Sequence, residues 1–169
     1  MSNLITLGWR EWVGLPELGL RRIKAKVDTG ARTSALHAFK LRPFMEDGVQ
    51  RIEFHMHPRQ RDVETTLVCS ADVTDQRSVT DSGGHTEERW VITTQLTIDE
   101  HSWPIEVTLT ARDDMRFRML LGRNALNHRA LVNPAASYLV GKKRKKNLSK
   151  TNPSSTLVAA LPDQTSTDL

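Results

Sequence analysis

The chain has 169 residues, 38% of them hydrophobic and 26% charged, with 24 Lys and Arg against 20 Asp and Glu. That length suits one domain with its own core, and it is too short for two large lobes. No apolar run approaches the roughly 18 residues a membrane helix needs, the first dozen residues do not have the form of a signal peptide, and the lone Cys69 excludes an internal disulfide or a Cys-based zinc cluster; a cytoplasmic protein with no membrane contact is expected. The charge is unevenly spread. Residues 1–141 hold 18 basic and 18 acidic side chains, so the whole excess lies beyond them. A body over 1–141 and a basic, polar tail over 142–169 follow, the tail opening with Lys142-Lys143-Arg144-Lys145-Lys146 and too poor in large apolar groups to fold alone.

In chain order, 4–13 reads as an opening strand. Ile23, Ala25 and Val27 alternate with Lys24 and Lys26, which predicts a half-buried strand over 20–28 that ends on Asp28. Thr29-Gly30-Ala31 gives a tight turn, and 33–41 continues beyond it. Glu46-Asp47-Gly48 is a turn before a strand at 49–54. Strands are predicted at 63–69 and 73–79, separated by Ser70-Ala71-Asp72. Asp81-Ser82-Gly83-Gly84 is the strongest turn signal, and 90–98 and 103–110 form a hairpin rich in β-branched residues. Residues 122–127 read as the one helical stretch, and Tyr138-Leu139-Val140 as a strand that closes the sheet. Many short strands with one short helix predict an all-β, closed or nearly closed barrel.

Two stretches carry chemistry. One is the strand-end carboxylate in Val27-Asp28-Thr29-Gly30-Ala31; the other is Leu120-Leu121-Gly122-Arg123-Asn124, about ninety residues later. In this order they resemble the retropepsin-like aspartic peptidases, whose single lobe is a barrel of the acid-protease type. The wider match, from about Leu7 to Gly141, includes SGGHTEERWVI and LVNPAASYLVG. It resembles a bacterial family labelled ATP-dependent zinc protease and found alongside ATP-grasp glutamate ligases that modify ribosomal protein. No G-x-x-x-x-G-K-[ST] and no H-E-x-x-H is present to support the ATP or the zinc of that label, and neither a cofactor nor a metal site is expected.

The resemblance implies an aspartic endopeptidase acting on a peptide or protein substrate. Asp28 would activate water, Thr29 would lock the loop through its hydroxyl, and Gly30 would allow close approach. With one D-T-G per chain, the second carboxylate would come from a second subunit of a homodimer. Ala31, Arg32, Ser82, Gly83 and Gly84 would contact substrate, the last three as a flap, with Glu46-Asp47-Gly48 as the competing flap. Leu120, Leu121, Gly122 and Arg123 would brace the loop. Arg32 stands where the family carries an acid, so Arg123 would turn to Asp113 or Asp114 instead, or Arg32 would bind an acidic substrate. A barrel that binds a peptide or a ribosomal partner without cleaving it, and a metal-dependent hydrolase, are the competing functions. His55 and His57 share one strand face but lack a third ligand. Trp9, Trp12, Trp90 and Trp103 read as packing, and the tail as a weak, sequence-indifferent RNA or ribosome contact.

Overall fold

The computed structural model describes residues 3–140; the basic tail expected from residue 142 lies outside them. The chain is all-β, as its alternating patterns predict. Eleven strands are described: β1 (Ile5–Gly8), β2 (Arg10–Leu15), β3 (Leu20–Val27), β4 (Ser34–His37), β5 (Phe39–Glu46), β6 (Val49–Met56), β7 (Leu67–Thr80), β8 (Thr86–Ile98), β9 (His101–Thr110), β10 (Met119–Leu121) and β11 (Ala130–Asn133). One 3-10 turn, Pro16–Leu18, and one four-residue helix, α1 (Arg123–Leu126), interrupt them.

Nine strands form a mixed sheet in the order β2-β3-β10-β4-β9-β8-β7-β6-β5, and β2 also meets β8 through Gly14 and Thr97. The strands approach closely there: a Cβ on Gly14 would stand 2.4 Å from the Thr97 hydroxyl and 3.0 Å from the Arg21 carbonyl oxygen. The predicted strand into the motif appears as β3, with Ile23, Ala25 and Val27 buried. Facing rows from β6, β8 and β9 fill the core with Phe54, Ile92, Leu96 and Leu109. Trp103 is buried there, and its indole N–H donates to the Ala125 carbonyl at 2.9 Å. Cys69 is a core residue; burial pushes its thiol up to about 11.

Four elements differ from the sequence reading. The opening strand is two strands in separate sheets, broken at Trp9, because Gly8 backs onto Ala136 with no room for a Cβ and Glu11 turns inward. That buried carboxylate accepts N–H groups from Gly8, Leu139 and Val140 at 2.8, 2.8 and 3.3 Å. Residues 138–140 therefore pack as a strap rather than a strand, and the late strand that pairs with β1, in parallel, is β11. The segment from 33 to 41 divides into β4 and β5. Ser70-Ala71-Asp72 is not a break. It lies within the 14-residue β7, where buried Ala71 alternates with exposed Ser70 and Asp72.

Candidate functional site

The element that builds the site is β10. It slots between β3 and β4, parallel to the first and antiparallel to the second, so a strand from late in the chain separates two early neighbours. The D-T-G loop bridges that gap. Its N–H at Asp28 donates to the Leu121 carbonyl at 2.9 Å, and beyond Gly122 the N–H groups of Arg123 and Asn124 donate to Ala31 and Arg32 at 2.8 and 2.9 Å. Gly122 itself donates to the buried Ser34 hydroxyl at 3.1 Å. The expected bracing by Leu120, Leu121, Gly122 and Arg123 is thus a continuation of the β ladder around the loop.

Asp28 is half-buried, and one of its carboxylate oxygens accepts the Gly30 N–H at 3.1 Å, an Asx turn. Thr29 fastens the loop through its carbonyl, which accepts from the Arg123 guanidinium at 2.8 Å, rather than through the expected hydroxyl. That bond also corrects the expected partner of Arg123. Asp114 is held by Arg112 at 2.9 and 3.1 Å, and the solvent-exposed Asp113 sits 3.8 Å from His37.

The loop opens on a cleft of about 1190 Å³. Of the expected catalytic and substrate residues, Asp28, Gly30, Ala31, Arg32 and Ser82 line it, whereas Thr29, Gly83 and Gly84 do not; of the bracing residues, Leu120 and Arg123 also reach it. The hairpin beside the cleft is therefore the β7–β8 turn; Glu46-Asp47-Gly48 joins β5 to β6 and takes no part in the lining. Asp81 shapes that turn. Its carboxylate accepts from the Gly83 and His85 N–H groups at 2.9 and 3.0 Å and from Arg112 at 3.1 Å, and these bonds, that to His85 first, hold its pKa below the usual carboxylate range.

Charge sets the cleft's character. Arg32, Arg77, Arg89, Arg112, Arg116 and Arg123, with Lys26, line it against Asp28, Asp81 and Glu106. Arg77 grips Glu106 through two bonds of 2.8 and 3.0 Å, which lowers the Glu106 pKa. Buried Arg89 binds Glu87, and Glu87 accepts from the Thr110 hydroxyl at 2.7 Å. The sequence reading missed these wall residues. Their signal is the polar pair at alternate positions, Glu87 and Arg89 on β8 and Thr108 and Thr110 on β9, which puts a polar row on one face of a hairpin.

His55 and His57 pack around Phe39 at 5.7 and 4.7 Å, and His57 stacks near His37 at 6.3 Å. Among the described residues no cluster of three or more His, Cys, Asp or Glu side chains is arranged to hold a metal ion. No described helix is long and apolar enough to cross a membrane.

A family model described as RimB-like, retropepsin-like aspartic endopeptidase RimB, matches residues 6–143. The chain belongs to this family. A probable alpha-L-glutamate ligase of Parasynechococcus marenigrum is 48% identical over 88% of the chain, and one of Shewanella pealeana is 42% identical over 84%. The matched region is 32% and 31% of those two proteins, so the chain spans about a third of the curated relatives it matches. A crystal structure of a Legionella pneumophila protein of unknown function superposes with TM-score 0.69 at 22% identity, covering 81% of this chain and 98% of that one, which shows the shared fold.

These relatives correct the expected activity. They carry the name of a ligase, an enzyme but not a peptidase, at 42–48% identity, so the aspartic endopeptidase, protease and hydrolase reading is not sustained although the family description bears that name. Within the chain, the other two carboxylates that line the cleft, Asp81 and Glu106, are each tied to an arginine.

Proposed function

We propose that the cleft binds an extended, acidic segment of polypeptide, and that this chain supplies the polypeptide-binding part of a glutamate ligase system. The observation that carries the reading is the state of two arginines. Arg32 and Arg116 line the cleft, and neither has a hydrogen-bonded or ion-paired carboxylate among the described residues, whereas Arg77, Arg89 and Arg112 are each paired. An extended chain sets alternate side chains about 6.6 Å apart on one face. Glutamate carboxylates on such a chain meet guanidinium forks in the geometry that gives strong, charge-assisted bonds. The free oxygen of Asp28 accepts a backbone N–H of the bound segment, and Ser82 closes the far wall.

In the same reading the β2–β8 meeting at Gly14 is the seam that rounds the sheet into a barrel, which keeps the cleft walls apart. We assign this chain the binding of the polypeptide and no bond-making step, and we place it in the cytoplasm, where a single free thiol is at home.

Fluorescence anisotropy with labelled hexaglutamate and hexaglutamine tests this directly. Hexaglutamate should bind at least tenfold more tightly. Arg32→Ala and Arg116→Ala should each weaken it about tenfold or more, since a hydrogen bond to a charged group contributes about 1.5–3 kcal/mol. Equal affinity for the two peptides, or indifference to both substitutions, would overturn the assignment.

A further inference from the structure

Beside the cleft, the hairpin of β2 and β3 carries a run of cations on its outward face. Arg22, Lys24 and Lys26 alternate outward on β3, and Arg10 and Trp12 do so on β2; none of these five is an acid. Cross-strand register places Arg10 opposite Lys26 and Trp12 opposite Lys24. Two like charges directly opposite cost stability. The cations are arrayed on rings. The Arg22 guanidinium lies 4.3 Å from the Trp12 ring centroid and the Lys24 ammonium 5.2 Å from it, while Arg10 lies 4.5 Å from Trp9 and 5.0 Å from Tyr138. Trp12 and Tyr138 stack with centroids 6.1 Å apart. At one end the array reaches the cleft, where Trp9 and Lys26 are lining residues.

Such an arrangement is more than packing. Trp12 is half-buried against the Arg22 guanidinium, with the ammonium groups of Lys24 and Lys26 alongside on β3. An acidic peptide would use the charges and have no use for the rings. Nucleobases use both, stacking on aromatic and guanidinium planes while the cations track the phosphates. We infer that the outer face of β2 and β3, built from Arg10, Trp12, Arg22, Lys24 and Lys26, is a binding surface for single-stranded nucleic acid. Binding there is indifferent to sequence, because the face offers stacking planes and point charges but no rigid pattern of donors and acceptors aimed at base edges.

The full chain should be titrated with fluorescein-labelled U12 RNA across a range of salt concentrations. The Arg22→Ala/Lys24→Ala double variant should weaken binding about tenfold or more and flatten the log–log salt dependence by about 1.4, at roughly 0.7 for each phosphate of a single strand that is no longer neutralised. Trp12→Phe, a mild change for the fold, should remove most of the tryptophan quenching that U12 produces in the parent. Unlabelled hexaglutamate should compete poorly. If the double variant keeps its affinity and salt slope, the basic tail or the cleft carries the RNA and the proposal fails. Quenching that persists in Trp12→Phe, or competition by hexaglutamate as effective as that by unlabelled U12, would equally overturn it.

Discussion

Replacing Gly122 with Ala tests whether β10 and the D-T-G loop are one rigid unit. The backbone at Gly122 is extended, with φ −85° and ψ 171°, so any residue tolerates its conformation; what forbids a side chain is space. A Cβ there would stand 2.5 Å from the Thr33 carbonyl carbon, 2.7 Å from its oxygen and 2.8 Å from the Ser34 nitrogen. All three are backbone atoms of the strand entry that the loop depends on, and they cannot swing aside as a side chain would. Overpacking of this kind costs about 1–3 kcal/mol. Parting the segments also strains the bonds from Gly122 to Ser34, Arg123 to Ala31 and Asn124 to Arg32, and the loss of even one adds about 1 kcal/mol. The expected total is roughly 3 kcal/mol, which for a chain of this size lowers Tm by about 6–12 °C. Gly30→Ala is the internal control, because its Cβ would meet only the Asp28 side-chain oxygen, at 3.2 Å, which can rotate away. Urea unfolding followed by tryptophan fluorescence reads both, with the slope m unchanged. A Gly122→Ala protein within about 0.5 kcal/mol of the parent, or a Gly30→Ala protein equally damaged, would refute the reasoning.

Three further outcomes follow from the buried and tethered groups. His37 is fully buried beside Arg118, and burial first, then that cation, lowers its pKa from 6.5, against weaker opposing pulls from a hydrogen bond to the Arg112 backbone and from Asp113. The unfolded state therefore binds more protons below pH 6.5, so stability should fall as pH drops from 6.5 toward the folded value, and a His37→Gln protein measured by urea titration at several pH values should lose that slope. Asp81 acts in the same direction, at lower pH. Its depressed pKa means that its contribution is complete above 3.8 and is lost as pH falls through the folded value, so Asp81→Ala should deprotect the Gly83 and His85 amides in hydrogen exchange at neutral pH. Cys69, with its thiol pushed up to about 11 and its sulfur 3.3 Å from the Leu18 carbonyl, should resist a disulfide reagent at pH 8 until urea unfolds the chain; rapid labelling of native protein would contradict its burial.

The strands whose residues alternate were legible in the sequence. Ile23, Ala25 and Val27 on β3, the hairpin of β8 and β9, and the turns at Asp47-Gly48 and Asp81–Gly84 all signal themselves through period-two patterning or turn chemistry, and both the D-T-G loop and its Leu-Leu-Gly-Arg-Asn support stand where their motifs place them. What was not legible depends on contacts between distant positions. Glu11 looks like a surface acid until the strap at 139–140 delivers its N–H groups, and only then does the break at Trp9 make sense. Ser70 and Asp72 look like a turn because they are polar, yet on a strand with one wet face polar residues are the outward half of the alternation. β10 is three residues long, too short for any period to show, and its place between β3 and β4 is a matter of topology.

That topology also decides which charges remain for a ligand. If the D-T-G loop were held by side-chain ion pairs, with an acid set opposite Arg123, the cleft cations would be neutralised by the work of bracing it. Instead the loop is fastened by main-chain groups: Asp28 to Leu121, Ala31 to Arg123, Arg32 to Asn124, and the Thr29 carbonyl to the Arg123 guanidinium. Arg32 occupies the position that would hold a bracing acid in the family pattern, and the backbone ladder makes that acid unnecessary. The substitution turns a neutral support into a cation at the mouth of the cleft, within electrostatic reach of Glu106. An acid at 32 would pair with Arg123 and halve the cleft's excess of cations; an arginine there tips it further toward anions while the loop stays fixed. The departure from the family pattern and the excess of cations around Asp28 are therefore one feature, and it is the feature on which recognition of an acidic polypeptide rests.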